Sequence, residues 1–145
     1  MNNQLSGKVA IITGGASGIG EAVARLYAKN GCKVALMDID KERLSRITDE
    51  IKNDGGECVC YATDVAKEDE VINVFKDVTE KWGRLDLLVN SAGRDSLSPP
   101  VSEVSLDEWN LILGTNLTGV FLCWREAFRI MEKQESGGRI MNMGS

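Results

Sequence analysis

The stretch Val9 to Gly20, Val-Ala-Ile-Ile-Thr-Gly-Gly-Ala-Ser-Gly-Ile-Gly, constrains this chain more than any other. Val9 to Ile12 is a short apolar run of the kind that forms a strand buried on both faces of a sheet. Gly14, Gly15, Gly18 and Gly20 crowd the turn that follows. Ile19, Ala22, Val23, Leu26 and Tyr27 then recur at helical spacing, and Asn30-Gly31 supplies a helix stop. Strand, glycine turn and helix together aim unpaired backbone N–H groups at an anion. Glycines suit the turn because a side chain would block the approach of a pyrophosphate and because such turns often demand positive φ. The spacing, Gly14-x3-Gly18-x-Gly20, differs from the Gly-x-Gly-x-x-Gly of the commonest dinucleotide folds. Taken alone, it also fits a glycine-rich turn that binds nothing.

The remaining chain alternates strands with helices. Lys33 to Met37 reads as a second strand ending at Asp38, and Glu57 to Tyr61 and Leu87 to Val89 as a third and fourth. Leu44, Ile47 and Ile51 mark one helix face. Val71, Val74, Phe75, Val78 and Trp82 mark another, closed by Gly83. Arg94 to Val104 carries both prolines and reads as a loop. Ser105-Leu106-Asp107-Glu108 has the form of a capping box. Gly114 interrupts or bends the helix it opens, which Leu117, Val120, Phe121, Trp124, Phe128 and Met131 continue on a consistent face. Arg139 to Met143 is a fifth strand. Such alternation predicts a parallel α/β sheet with right-handed crossovers.

Thr13-Gly14-x3-Gly18-Ile19-Gly20 resembles the cofactor motif of the short-chain dehydrogenase/reductase family. The resemblance extends over the whole chain, motif after motif in order. It implies a doubly wound, Rossmann-type sheet of strand order 3-2-1-4-5, truncated after the fifth strand, with residues 1–145 as one NAD-binding domain. Thr13, Gly14, Ser17, Gly18, Ile19 and Gly20 would hold the cofactor. Asp38, 18 residues past Gly20 at a strand end, stands where dinucleotide folds place the carboxylate that accepts from the adenosine ribose hydroxyls. A 2′-phosphate beside it would meet a like charge, worth roughly 4 kcal/mol at ~4 Å and an effective dielectric of about 20. Ala16 and Ser17 fill the turn positions that could hold a basic residue, so NAD is favoured over NADP. Asp40 reads as a helix cap.

By the same resemblance Asp64 and Val65 contact the adenine, Asn90 steadies the sheet beside the cofactor, and Ala92 and Gly93 leave room for a ribose. Ser91 and Gly144 are mild departures from the family pattern. Asn116 matches the active-site asparagine whose backbone helps hold a water in the proton relay. Ser145 falls on the catalytic serine that hydrogen-bonds the substrate carbonyl. The family's proton donor lies in a Tyr-x-x-x-Lys motif, and neither Tyr27 nor Tyr61 has a lysine four residues on. Two readings follow: part of an NAD(H)-dependent oxidoreductase moving hydride between a secondary alcohol and a ketone, or a module that holds a dinucleotide and catalyses nothing.

Composition narrows the classes. Seventeen basic and 22 acidic residues, a net charge of −5, argue against nucleic acid or an anionic membrane as partner. No apolar run approaches a membrane span, and Met1 to Lys8 lacks a signal-peptide core, so the cytoplasm is the expected compartment. The absence of histidine removes a Ser-His-Asp triad, a Cys-His pair and every histidine-containing zinc site. The four cysteines lack a Cys-x-x-Cys pair and read as structural thiols, with no metal site. Arg94 to Val104 and the surroundings of Trp109 are the segments left to shape a substrate pocket. The fifth strand is expected at an exposed sheet edge, which favours self-association. The resemblance implies a homo-oligomer for the full-length form, built in part through the helix Leu117 to Met131.

Overall fold

The computed structural model describes residues 3–95 and 99–144. Five parallel strands, β1 (Val9–Thr13), β2 (Lys33–Asp38), β3 (Glu57–Ala62), β4 (Leu87–Asn90) and β5 (Arg139–Asn142), form one sheet in the order β3-β2-β1-β4-β5. This is the doubly wound order that the family resemblance implies. In register, Ile11 stands between Ala35 of β2 and Leu88 of β4. The helices are α1 (Gly18–Lys29), α2 (Lys41–Asn53), α3 (Glu68–Trp82), α4 (Leu106–Leu113) and α5 (Gly119–Met131).

Side chains of a strand alternate between its two faces, so each central strand feeds two cores. Val9, Ile11, Ala35, Met37 and Leu88 pack with Val71, Val74, Phe75 and Val78 of α3 and with Leu122, Cys123 and Ala127 of α5. Ala10, Ile12, Val34, Leu36 and Val89 pack on the opposite face with Ala24 and Ala28 of α1 and with Leu44, Ile47 and Ile51 of α2. Fully burying each such Leu, Ile or Phe contributes about 1.5–3 kcal/mol. Local signals set the ends. Asp40 caps α2 by accepting from the Arg43 N–H at 3.0 Å, and Ser105 Oγ accepts from the Glu108 N–H at 3.1 Å at the start of α4. Gly83, at φ +74°, closes α3.

Two helix faces need correction. On α1 the buried residues are Gly20, Ala24 and Ala28, whereas Ile19 and Leu26 of the apolar repeat are each 58% exposed. Small residues let this helix lie close to the sheet, so its larger apolar side chains fall on the flank. On α5 the buried side is Leu122, Cys123, Ala127 and Met131. Leu117, Phe121, Trp124 and Phe128 do share a face, but they are exposed, and Trp124 and Phe128 pack edge to face on each other. That leaves an apolar stripe open to solvent beside β5, whose residues other than Ile140 are exposed. Among the described residues β5 pairs only with β4.

Gly114 does change the helix. Residues Gly114–Thr118 form a π turn between α4 and α5. Gly119 then packs against the Val65 side chain, where a Cβ would come within 2.5 Å of Val65 Cγ2. No helix among the described residues is long and apolar enough to cross a membrane. Burial pushes the thiols of Cys32 and Cys123 up to about 12 and that of Cys58 up to about 11, so they stay protonated near neutral pH.

Candidate cofactor and active site

The loop after β1 is tied to its neighbours on both sides. On the β2 side, the Gly15 N–H donates to the Met37 carbonyl at 3.2 Å and the Ala16 N–H donates to Asp38 Oδ2 at 3.1 Å. On the β4 side, Thr13 Oγ1 accepts from the Ser91 and Ala92 N–H groups, each at 3.0 Å. Gly14 turns at φ +65°, and a Cβ there would lie 2.8 Å from Ala92 N. The carboxyl ends of β1 and β4 therefore close against each other through the Thr13 hydroxyl and the close backbone approach of Gly14 to Ala92.

Helix α1 begins beneath this loop. A Cβ on Gly20 would lie 2.1 Å from the Gly14 carbonyl oxygen, so only glycine permits the first turn to seat there. Ser17 is the N-cap residue but makes no side-chain cap bond. The N–H groups of the first turn thus have no side-chain acceptor at the cap, and Ser17, Gly18 and Ile19 line a cavity of about 620 Å³.

That cavity gathers most of the residues singled out in the sequence. Asp38, Asp64 and Val65 line it from the β2–β3 side; Asn90, Ala92, Gly93 and Asn116 line it from the β4 side, and Gly14 lies between. Thr13 and Gly20 do not line it; they build its floor. Ser145 lies outside the described residues, although Met143 and Gly144 before it line the cavity. Ser96 to Ser98, in the loop predicted over 94–104, also lie outside them; Val101–Glu103 of that loop is a single 3₁₀ turn.

Individual contacts show how the polar groups are held. Asp38 Oδ1 accepts from the Asp40 N–H at 3.1 Å, so each carboxylate oxygen takes one backbone donor and keeps further lone-pair capacity. Asp64 Oδ1 accepts from the Ala66 N–H at 3.0 Å. Asn90 donates through Nδ2 to Asn142 Oδ1 at 2.9 Å, which also accepts from Trp124 Nε1 at 3.1 Å. Its own Oδ1 is buried and has no partner among the described residues. Asn116 sits in the π turn, and its side chain grips Arg94: Oδ1 accepts from the Arg94 N–H at 2.7 Å while Nδ2 donates to the Arg94 carbonyl at 2.9 Å. This asparagine thus joins the π turn to the loop after β4. π turns of this kind recur at functional sites.

Sequence reasoning did not single out Met37, Ile39, Thr63, Thr115 or Val120 as site residues, all of which line the cavity, whereas Arg94 and Asp95, also in the lining, belong to the 94–104 segment expected to shape a substrate pocket. Only Ile39 carries a local signal, an apolar residue directly after Asp38 and 62% exposed. Free N–H groups, a carboxylate beyond them and an orphaned buried acceptor suit a polar, anionic ligand with hydroxyl or amide donors. Among the described residues no cluster of metal-ligating side chains occurs.

Open parallel sheets take their ligands at the carboxyl ends of the strands, where the strand order reverses. Here that point, between β1 and β4, carries the glycine loop of a doubly wound, Rossmann-like α/β domain. Comparison with known proteins narrows the class. A family model for short chain dehydrogenase matches residues 8–145. D-threitol dehydrogenase from Mycolicibacterium smegmatis is 41% identical over 143 residues, covering 98% of this chain and 54% of that enzyme. A short-chain type dehydrogenase/reductase from Mycobacterium marinum superposes with a TM-score of 0.92 at 37% identity, over 99% of this chain and 58% of the other. A metagenomic short-chain oxidoreductase solved with NADP gives a TM-score of 0.90 at 34% identity, over 97% and 63%. The chain belongs to the short-chain dehydrogenase/reductase family. It spans about half the length, or less, of the curated relatives it matches.

Proposed function

We propose that this chain holds NAD(H) and serves an enzyme that moves hydride between a secondary alcohol and a ketone. The observation that carries this reading is the single cavity in which the uncapped first turn of α1, the Asp38 carboxylate and the Asn116 turn converge. A nicotinamide dinucleotide bound there would supply or accept the hydride. The N–H groups of Ser17, Gly18 and Ile19 would bind its diphosphate, and Asp38 would accept from the adenosine ribose hydroxyls. Ile39 and Val65 offer apolar surface near Asp38 for the adenine, with Asp64 beside them. Ala92 and Gly93 leave space along the β4 loop. Asn116, its side chain engaged with Arg94, has its backbone left to hold a water, and Ser145 would orient the substrate carbonyl. Four free thiols fit the reducing cytoplasm.

The preference for NAD rests on Asp38 together with the lack of a basic residue in the glycine loop. A solved relative carries NADP, so the fold admits NADP and a preference for NAD must come from individual residues. Titrating both cofactors against the chain is expected to give NAD an advantage of on the order of tenfold or more, and Asp38→Ala should erase most of it. Asp38→Asn controls for the bond to the Ala16 N–H. Equal affinities in the unsubstituted chain, or a preference unmoved by D38A, would remove Asp38 from the ribose.

We also propose homo-oligomer formation through the α5 stripe. Leu117, Phe121, Trp124 and Phe128 expose a contiguous apolar face beside the β5 edge, which supports it. Sedimentation of the 145-residue chain should show concentration-dependent association that Phe121→Lys with Phe128→Lys weakens. A monomer at all concentrations would overturn this.

A further inference from the structure

Among the described residues Arg94 is the one basic residue lining the cavity, and its surroundings fix it without an ion pair. Its backbone N–H and carbonyl are both held by the Asn116 side chain, and its Nε donates to Thr115 Oγ1 at 3.1 Å. Thr115 is itself buried, so the guanidinium is anchored at one nitrogen to a rigid part of the π turn. Six of the other arginines, Arg25, Arg43, Arg46, Arg84, Arg125 and Arg129, each pair with a carboxylate. Arg94 makes no ion pair among the described residues, and its terminal nitrogens are unengaged. Asp95 also lines the cavity on this side, but forms no ion pair with it.

Placement along the sheet adds a direction. Asp38 ends β2 and Asp64 follows β3, on one side of the glycine loop, whereas Arg94 follows β4, on the other. Among the described residues the cavity thus has two carboxylates and no cation at its β2–β3 end, and carries its one cation at the β4 end, beside Asn116 and the exposed Asp95. An anionic group on a ligand is repelled from the first end, and at the second it finds in Arg94 the one group that attracts it, against the partial opposition of Asp95. A guanidinium with free terminal nitrogens presents a planar fork that matches a carboxylate.

We propose that Arg94 recognises an anionic group on the substrate, so that the alcohol or ketone taken here is a hydroxy acid or keto acid. This rests on the proposed function, which places the hydride end of the cofactor beside Asn116. It goes beyond that reading by naming the substrate's charge and the residue that selects it. The other oxyanion able to meet Arg94 is the diphosphate of the dinucleotide, and the test separates the two.

Pyruvate, acetoacetate and levulinate are titrated against the full chain saturated with NAD, each beside its methyl ester, by ligand-observed NMR. At least one acid is expected to bind about tenfold tighter than its ester, an advantage that shrinks with added salt. Arg94→Gln should abolish that advantage and Arg94→Lys keep part of it, while both variants bind NAD as the unsubstituted chain does. Esters that bind as well as all three acids overturn the proposal, and this comparison needs no variant to fold. A preference unchanged in R94Q also overturns it. So does a loss in R94Q confined to NAD, which assigns Arg94 to the diphosphate. Failure of NAD to bind the unsubstituted chain would instead strike the proposed function, and the acid-against-ester comparison repeated without NAD still decides the role of Arg94.

Discussion

Gly20→Ala is expected to destabilise the chain by about 2–4 kcal/mol and to abolish dinucleotide binding. Alanine in a helix interior is ordinarily favoured over glycine by about 1 kcal/mol, so intrinsic propensity alone predicts the opposite sign. Packing reverses it. The new Cβ would lie 2.1 Å from the Gly14 carbonyl oxygen and 2.7 Å from the Gly14 carbonyl carbon. Both are backbone atoms, so no side-chain rotation relieves the clash. Either α1 lifts away from the loop or the loop moves, and its bonds to Met37, Asp38 and Ala92 oppose the second. Lifting α1 would also withdraw Ala24 and Ala28 from the sheet. Gly18→Ala is the useful contrast: its Cβ meets nothing within 4 Å, and only the positive φ of +53° opposes it, a cost of about 1–2 kcal/mol. Urea unfolding and NAD titration of the two variants check the ordering. A G20A chain as stable as the original would show that α1 is not seated on this loop.

Much of this architecture is legible because parallel strands bury both faces and announce themselves as short apolar runs. Val9 to Ile12, Val34 to Met37 and Leu87 to Val89 are such runs, and polar residues bound them: Lys8 and Thr13, Lys33 and Asp38, Asp86 and Asn90. Helix existence is legible for a similar reason, but helix orientation is not. On α1 the apolar repeat through Ile19 and Leu26 outweighs Gly20, Ala24 and Ala28 in any hydrophobicity count, yet the small residues face the sheet because they permit a close approach. On α5 two apolar stripes compete, and periodicity cannot tell a face that meets the sheet from one that faces outward. The site divides the same way. Glycine spacing and Asp38 mark one end of the cavity because backbone approach and charge demand those residue types. Thr13 locks β1 to β4, and Asn116 grips Arg94, through contacts between residues 78 or 79 and 22 positions apart. No local pattern encodes those distances. Arg94 therefore emerges only once the π turn and the β4 loop are seen together.

The 145 residues alone are expected to oxidise secondary alcohols at least about 10²- to 10⁴-fold more slowly than a family chain carrying Tyr-x-x-x-Lys, the contribution usual for general acid–base catalysis. No described group is placed and tuned to take the tyrosine's part. The Tyr61 hydroxyl donates to Asp77 Oδ2, and burial together with that carboxylate raises its pKa, so it neither reaches the cavity nor gives up its proton readily. Tyr27 lies on α1, its pKa likewise raised by burial, and does not line the cavity. Cys32 and Cys123, held up to about 12, are buried in the two cores. Asp38 and Asp64 stand on the far side of the glycine loop from Asn116. Asp95 is the exception, an exposed carboxylate at the Asn116 end of the cavity. It lacks a neighbouring cation to grip a ribose as the family's lysine does, apart from Arg94, whose stem is committed to Thr115 and Asn116. Positioning is itself a large part of rate enhancement, so the deficit should exceed the acid–base share. The check is NADH formation across a panel of secondary alcohols and hydroxy acids, run beside the longest chain the same reading frame encodes. Comparable turnover by the 145 residues would make Asp95 the first acid to remove, and a further loss in Asp95→Asn would assign it the proton.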